Sequence, residues 1–578
     1  MGIGPFRCGT MVLVDSSTPF YRDYQWYIQP YLRHFGAPFR ELDLSGPADI
    51  DFSRYALLLI AHKNIRPAVT RTGTADRIAG AVKEGAGLLC FDRSFFGQNS
   101  GLFDVKVGES AGEPGADVLR FGEQAHYITS LHTGGEIKLF REINLKNPVV
   151  FQNGVILASA GGQPLLCAGK YGEGRMVLWN DYSWMSHLVR GPVYGLDDLF
   201  WRGMVWAARK PFVMQGMPPI VTMRVDDVWG SLKSGRADNP LYWIENCRSH
   251  GLKPWLGVFL DNISRHSARI LKQHADRGDV TVFPHAFAGH EIPAGETPES
   301  DIPLPEKWIY FDHHQKKDYT DDVMREHVRR TEEWYGRYGI PISRVALGHY
   351  YEIGRNALKY LLKWGCDFTG VHMPPGEPYF TGVPEGEWLM GGPYRLFETG
   401  SRSGRHPVYY ADYLRIPGEP QFDDRFFNCV IEIRDDAGYE WAPDNNVEET
   451  VARGIRQLAR SFDSMTLAAL FTHESDYIQW IAPSNWARII DGVCRGISRR
   501  NPVYLSTDEA YRYVRAKHHL TISDAFFDSR LLRLKLEGRN DSATKCHLFT
   551  ETAQGEILAE LIDLPVVQGK AEISLKLR

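Results

Sequence analysis

The chain has no C-x-x-C pair, no long basic tract and no apolar run of membrane-spanning length. Its eight cysteines are scattered over 578 residues. Several of them (Cys90, Cys167, Cys429) lie in strand-like apolar runs, which suits reduced, buried thiols rather than a disulfide framework. Formal net charge is −5, so nothing in the charge balance points to nucleic acid. The opening MGIGPFRCGTMVLVDSS lacks a basic segment followed by a long apolar core, and Phe6 stands where a myristoylation signal has Ser or Thr. These absences together lead us to expect a cytoplasmic protein with neither a membrane nor a nucleic-acid partner.

What is present is a large α/β pattern. The hydrophobic fraction of 43% and charged fraction of 24% are those of a globular protein, and the length calls for two to four domains. The 15 Trp and 27 Tyr suit carbohydrate or apolar ligand surfaces, although large cores account for them equally well. Over the first 210 or so residues, apolar strands (TMVLVD, YALLLIAH, GLLCFD) alternate with helical spacings at 23–36 and 75–87. PLLCAGKYGEGRMVLWND reads as a hairpin around Lys170–Gly174. Pro211, Gly216, Pro218 and Pro219 interrupt the pattern and mark a boundary. A second series of strands and helices follows, with amphipathic helices over 321–339 and 446–462, and predicts a (β/α) barrel. After residue 518 the pattern is short alternating strands, expected as a small β-sandwich. The domains are therefore read as 1–212, 213–518 and 519–578.

Four barrel segments end in polar residues: RVDD (224–227), FPHAFAGHE (283–291), LGHYYEIG (347–354) and LFTHES (470–475). Barrel sites form at the carboxyl ends of strands, so these residues can meet at one mouth. Asp and His together suit zinc or a similar cation. Asp226 and Asp227 are neighbours and on a regular strand would face opposite ways. An Asp-Asp pair there is either a solvated turn or a metal and proton-transfer site. Cys90 in GLLCFDRS is either core or a nucleophile. Glu432, Asp435 and Asp436 either orient His473 or form a charged loop.

In the order of these motifs the barrel resembles the polysaccharide deacetylases of carbohydrate esterase family 4. That family carries Asp-Asp after a strand, a His-Ser-x-x-His segment, an Arg-x-Pro-Tyr segment and a late Leu-x-His. The first domain, on its pattern and YGEGRMVLW, resembles the class I glutamine amidotransferase-like fold in its non-catalytic, flavodoxin-like form. The family's fold is a distorted (β/α) barrel. The resemblance implies Asp226 as catalytic base, His473 as catalytic acid, and Asp227, His285 and His290 as ligands of a divalent metal. Zinc is the first choice, with cobalt, nickel or manganese as alternatives. It further implies hydrolysis of an acyl group on an N- or O-acylated saccharide, and a homo-oligomer built through the first domain.

Two departures stand out. His285 and His290 are five residues apart rather than four, about 140° apart on a regular helix. Either the segment is not helical or His349 replaces His290 as the ligand. LGHYYEIG also has no Arg to orient the base. A glycoside hydrolase or lyase using Asp226 with Glu432 or Glu474, and an inactive sugar-binding relative, are the competing readings.

Overall fold

In the computed structural model the described residues are 4–46, 49–65, 68, 73–108, 115–185, 196–230, 239–289, 307–379, 411–416, 418–431 and 440–577. They divide into two units, one of residues 1–216 with 516–578 and the other of 217–515.

The first unit is organised by parallel strands in the order Phe39–Asp43, Phe6–Val14, Tyr55–Ile60, Gly87–Cys90 and Gly174–Trp179. Tyr55–Ile60 and Gly87–Cys90 are buried throughout, as strands covered on both faces must be. The expected hairpin is present, with Tyr171 opposite Gly174. Cys90 is fully buried, and burial holds its thiol well above the ordinary range. It packs in the core, as a structural thiol does. All eight cysteines are buried free thiols.

Residues 519–578, expected as a β-sandwich, form five strands. Leu520–Asp528, Leu531–Arg539 and Gln568–Lys576 extend the first unit's large sheet antiparallel from Phe6–Val14. Thr544–Glu551 and Ile557–Leu564 pair with each other, and the former pairs with Phe212–Met214. Alternation identifies a strand but carries no information about its partner, and here Leu520–Asp528 and Thr544–Glu551 each take one partner more than three hundred residues away, in Phe6–Val14 and Phe212–Met214.

The second unit holds parallel strands in the order Thr281–Ala286, Pro254–Phe259, Ile220–Val228, Ala468–His473, with Val503–Tyr504 also against Ile220–Val228. A separate sheet joins Val345–Ala346, Phe368–Thr369 and Phe427–Cys429 in parallel, with Ala411–Tyr413 antiparallel at its edge. Among the described residues these two sheets do not close into the expected barrel. The middle strands pair over only two residues each, too short to carry a continuous ladder.

The helices at Asp321–Tyr338 and Val447–Asp463 match the spacings expected for them. Thr320 and Asn446 cap their amino ends, and acidic residues fill both first turns, where the helix dipole favours them. No helix among the described residues is long and apolar enough to cross a membrane.

Candidate metal and acid–base site

The strand Ile220–Val228 is buried along its whole length and ends in the two carboxylates. Its register against Pro254–Phe259 shifts between Val225, opposite Leu256, and Val228, opposite Val258. Three steps on one strand therefore match two on the other, which is a β-bulge at Asp226–Asp227. Asp227 takes φ = 55°, a left-handed conformation that costs a non-glycine residue of the order of 1 kcal/mol. The bulge breaks the two-sided alternation, so both carboxylates reach one imidazole. Asp226 Oδ2 lies 3.5 Å and Asp227 Oδ1 3.4 Å from His285 Nε2.

His285 sits in the strand Thr281–Ala286, not on a helix, so the helical spacing rule for a His pair does not apply to it. Its Nδ1–H donates to the Leu347 carbonyl at 2.8 Å, leaving the Nε2 lone pair toward Asp227. Burial pushes its pKa down to about 4, so the ring is neutral at neutral pH. His349, in a short turn after Val345–Ala346, places Nδ1 3.3 Å from Asp227 Oδ1. Tyr350 and Tyr351 beside it have φ of 55° and 60°.

Asp227, His285 and His349 are all buried, and each offers a ligand atom within 4.8 Å of the others. His290 lies outside the described residues.

Asp227 Oδ1 is buried without a well-formed hydrogen bond, its nearest polar neighbours being the His349 and His285 nitrogens at 3.3 and 3.4 Å. A buried carboxylate oxygen left in that state costs about 1–3 kcal/mol or more. Burial would raise the Asp227 pKa, but His349 and His473 hold it lowered. An ionised oxygen without a well-formed hydrogen bond, a neutral imidazole with its lone pair turned inward and a second imidazole nitrogen fit a divalent cation of the zinc type.

Close packing sets the ring of His285. A Cβ built on Gly257 would come within 2.9 Å of His285 Cγ. Gly257→Ala should therefore displace the imidazole and weaken zinc binding by about tenfold, as changes that disturb a ligand's support do. Titration of the folded variant with zinc measures this.

Asp226 is held from its own strand. Arg224 Nε donates to Asp226 Oδ1 at 2.8 Å, and Arg224 Nη2 donates to Asp226 Oδ2. The guanidinium is buried and lies over the rings of Phe471 and Tyr351, 4.3 and 4.9 Å from their centroids. This corrects the expectation that no arginine orients the base. The signal was present in R-V-D, because residues i and i+2 of a strand share a face.

His473 ends the neighbouring strand Ala468–His473, opposite Asp226. Its Nε2 is 4.0 Å from Asp227 Oδ2, and its Nδ1–H donates to Glu440 Oε1. Tyr477 Oη donates to the other Glu440 oxygen at 3.3 Å. Burial would lower the His473 pKa, but Asp227 and Glu440 hold it raised, at about 10. Glu432, Asp435 and Asp436 fall outside the described residues. Glu440 was not singled out in the sequence, where it is one acidic residue among several.

Glu474, offered as a glycosidase carboxylate, is enclosed. It accepts from Trp229 N and Gly230 N at 2.8 Å each and from Trp243 Nε1 at 2.9 Å. Burial pushes its pKa up to about 7 against those three donors. With both oxygens engaged by internal N–H groups, it cannot act as the second carboxylate at a glycosidic bond. Of the aromatic rings on these segments, Trp229 and Tyr351 are buried, Tyr350 is half-buried and Trp480 is 56% exposed. His313, half-buried, is stacked on Trp308 and Tyr350, with Nδ1 2.9 Å from Glu352 Oε2.

No family model matches the chain, and no curated protein does. Among solved structures, it is similar to the chitin deacetylase of the fungal pathogen Colletotrichum lindemuthianum, at 10% identity and a TM-score of 0.27, over 51% of this chain and 88% of that one. It is likewise similar to a peptidoglycan N-acetylglucosamine deacetylase at 9% identity and a TM-score of 0.27, over 50% and 87%. A β-galactosidase from Rahnella sp. R3 aligns at 13% identity and a TM-score of 0.22, over 31% of this chain and 29% of that one. Likenesses this faint assign no family, and the functional reading rests on the residues themselves.

Proposed function

We propose that this protein is a metal-dependent hydrolase that removes an acyl group, acetyl in the simplest case, from an N- or O-acylated saccharide. One observation carries the reading. A buried Asp-His-His donor set has beside it a carboxylate fixed by arginine and an imidazole fixed by glutamate. That sets a candidate base and a candidate acid within reach of one reacting centre.

Asp227, His285 and His349 would hold the ion. Zinc suits the donors best, and cobalt, nickel and manganese accept similar sets. A divalent ion bound there supplies Lewis-acid polarisation of the acyl carbonyl. Asp226, its orientation set by Arg224, accepts the proton of the attacking water. His473 gives its proton to the departing amine or alcohol, and Glu440 on Nδ1 keeps Nε2 turned to the site. Trp480 offers an exposed indole to the saccharide, its Nε1–H anchored on the Ser475 carbonyl at 3.2 Å.

Acetate release from acetylated chito-oligosaccharides and acetylated xylan, by protein supplied with one equivalent of zinc, tests the proposal. Release of acetate supports it. Cleavage of the glycan chain without acetate would replace it with the glycosidase reading.

A further inference from the structure

The bulge that turns Asp226 and Asp227 to one side is held by a residue of the opposite strand end. Glu474 follows His473 directly. Its backbone N–H donates to the Asp226 carbonyl at 2.9 Å. Its carboxylate collects the amides of Trp229 and Gly230 at 2.8 Å each, two and three residues beyond Asp227. Trp243 Nε1–H supplies the third bond, at 2.9 Å. One residue thus grips the chain on both sides of Asp227, and Gly230 turns away at φ = 65° with Ser267 against it.

We propose that Glu474 is a positioning residue that holds the bulge in the form where Asp227 faces His285 and His349. The proposal rests on the metal-site reading above. Its logic is geometric. A left-handed Asp227 followed by Val228 has no local reason to persist, and it persists where the surroundings over-determine it. Two successive amides converging on one carboxylate oxygen are such a constraint. Because His473 and Glu474 are adjacent, the same strand end that presents the imidazole also fixes the carboxylate it faces, 4.0 Å away.

The constraint needs a carboxylate. All three side-chain partners of Glu474 are N–H donors, which two acceptor oxygens can satisfy. A glutamine offers one acceptor oxygen and an NH2 that must face an N–H. Aspartate is shorter by one methylene and cannot span the gap.

The test uses the full-length protein stripped of metal, with zinc and cobalt as probes. Glu474→Gln should remain folded by circular dichroism and bind zinc about 10- to 100-fold more weakly than wild type, the range for residues that support metal ligands. Its cobalt complex should show an altered visible absorption band, because the ligand geometry has moved. A purely structural role would lower the melting temperature and leave both readouts unchanged, and that result overturns the proposal. Should Glu474→Gln fail to fold, Trp243→Phe removes one of the three donors and keeps the carboxylate. A several-fold loss of zinc affinity then supports the proposal, and wild-type affinity overturns it. If wild-type protein itself takes up no zinc, the metal-site reading fails and this proposal falls with it. Uptake by wild type with unchanged affinity in the variants removes the positioning role alone.

Discussion

Asp227→Ala is expected to abolish stoichiometric metal binding, with His285→Ala close behind. Asp227 contributes the anionic donor of the set, and its Oδ1 lies 3.4 and 3.3 Å from the two imidazole nitrogens that would share the ion. Removing it leaves two neutral donors and no charge to compensate a dication. The affinity loss should exceed the 10- to 100-fold typical of supporting residues. Circular dichroism checks that the variant is folded, since Asp227 also faces the His349 and His473 rings, at 3.3 and 4.0 Å. Zinc titration of Asp227→Ala, His285→Ala, His349→Ala and His290→Ala ranks the ligands. Wild-type affinity in His349→Ala, with a loss in His290→Ala, would reassign the third position. A full metal complement in Asp227→Ala would remove it from the set.

The second large effect concerns turnover without loss of metal. Asp226→Asn and His473→Ala should each keep the metal and lose about 10²- to 10⁴-fold in acetate release, the usual worth of a positioned general base or acid. Asp226→Asn carries a further consequence. Both Asp226 oxygens accept from Arg224, and the amide can accept with only one, so a buried guanidinium loses its counter-charge. Breaking one side of a buried ion pair costs about 3–5 kcal/mol, and a lower melting temperature is expected alongside the activity loss. His473→Ala removes a ring whose Nδ1–H is spent on Glu440, and should perturb stability less. The double variant should lose less than the product of the two single losses, because both groups serve one reaction path. Near-wild-type release by either metal-loaded single variant would remove that residue from the chemistry.

How much of this site was legible in the sequence differs from residue to residue. Asp226, Asp227, His285 and His473 were legible because each closes an apolar strand pattern, and parallel strands bring their carboxyl ends to one side. His349 emerged from a misfit, a His pair spaced five residues apart. His285 is a strand residue, so the helical spacing does not apply to it, and the His349 ring from another loop lies 5.2 Å from its own. The bulge was not legible, because a period-two pattern has no mark for an inserted residue. Arg224 is marked by its i, i+2 relation to Asp226, and it lies outside the segment where the resembling family keeps its arginine. Glu440 and Glu474 look alike in sequence, each an acidic residue near a histidine or a strand end. Only the fold separates them, one on an imidazole and the other on backbone amides. In the fold, the strand Ile220–Val228 and the two long helices followed from their patterns. The attachment of residues 520–576 to Phe6–Val14 and Phe212–Met214 did not, because pairing over such sequence distances depends on faces and edges that local alternation does not encode.

The most direct measurement is acetate release from an acetylated chito-oligosaccharide by tag-free wild-type protein, before chelation, after it, and after return of one equivalent of zinc. The proposed site predicts release that disappears on chelation and returns with the single equivalent, while the circular dichroism spectrum stays unchanged throughout. Undiminished release from the fully stripped, folded protein would contradict it.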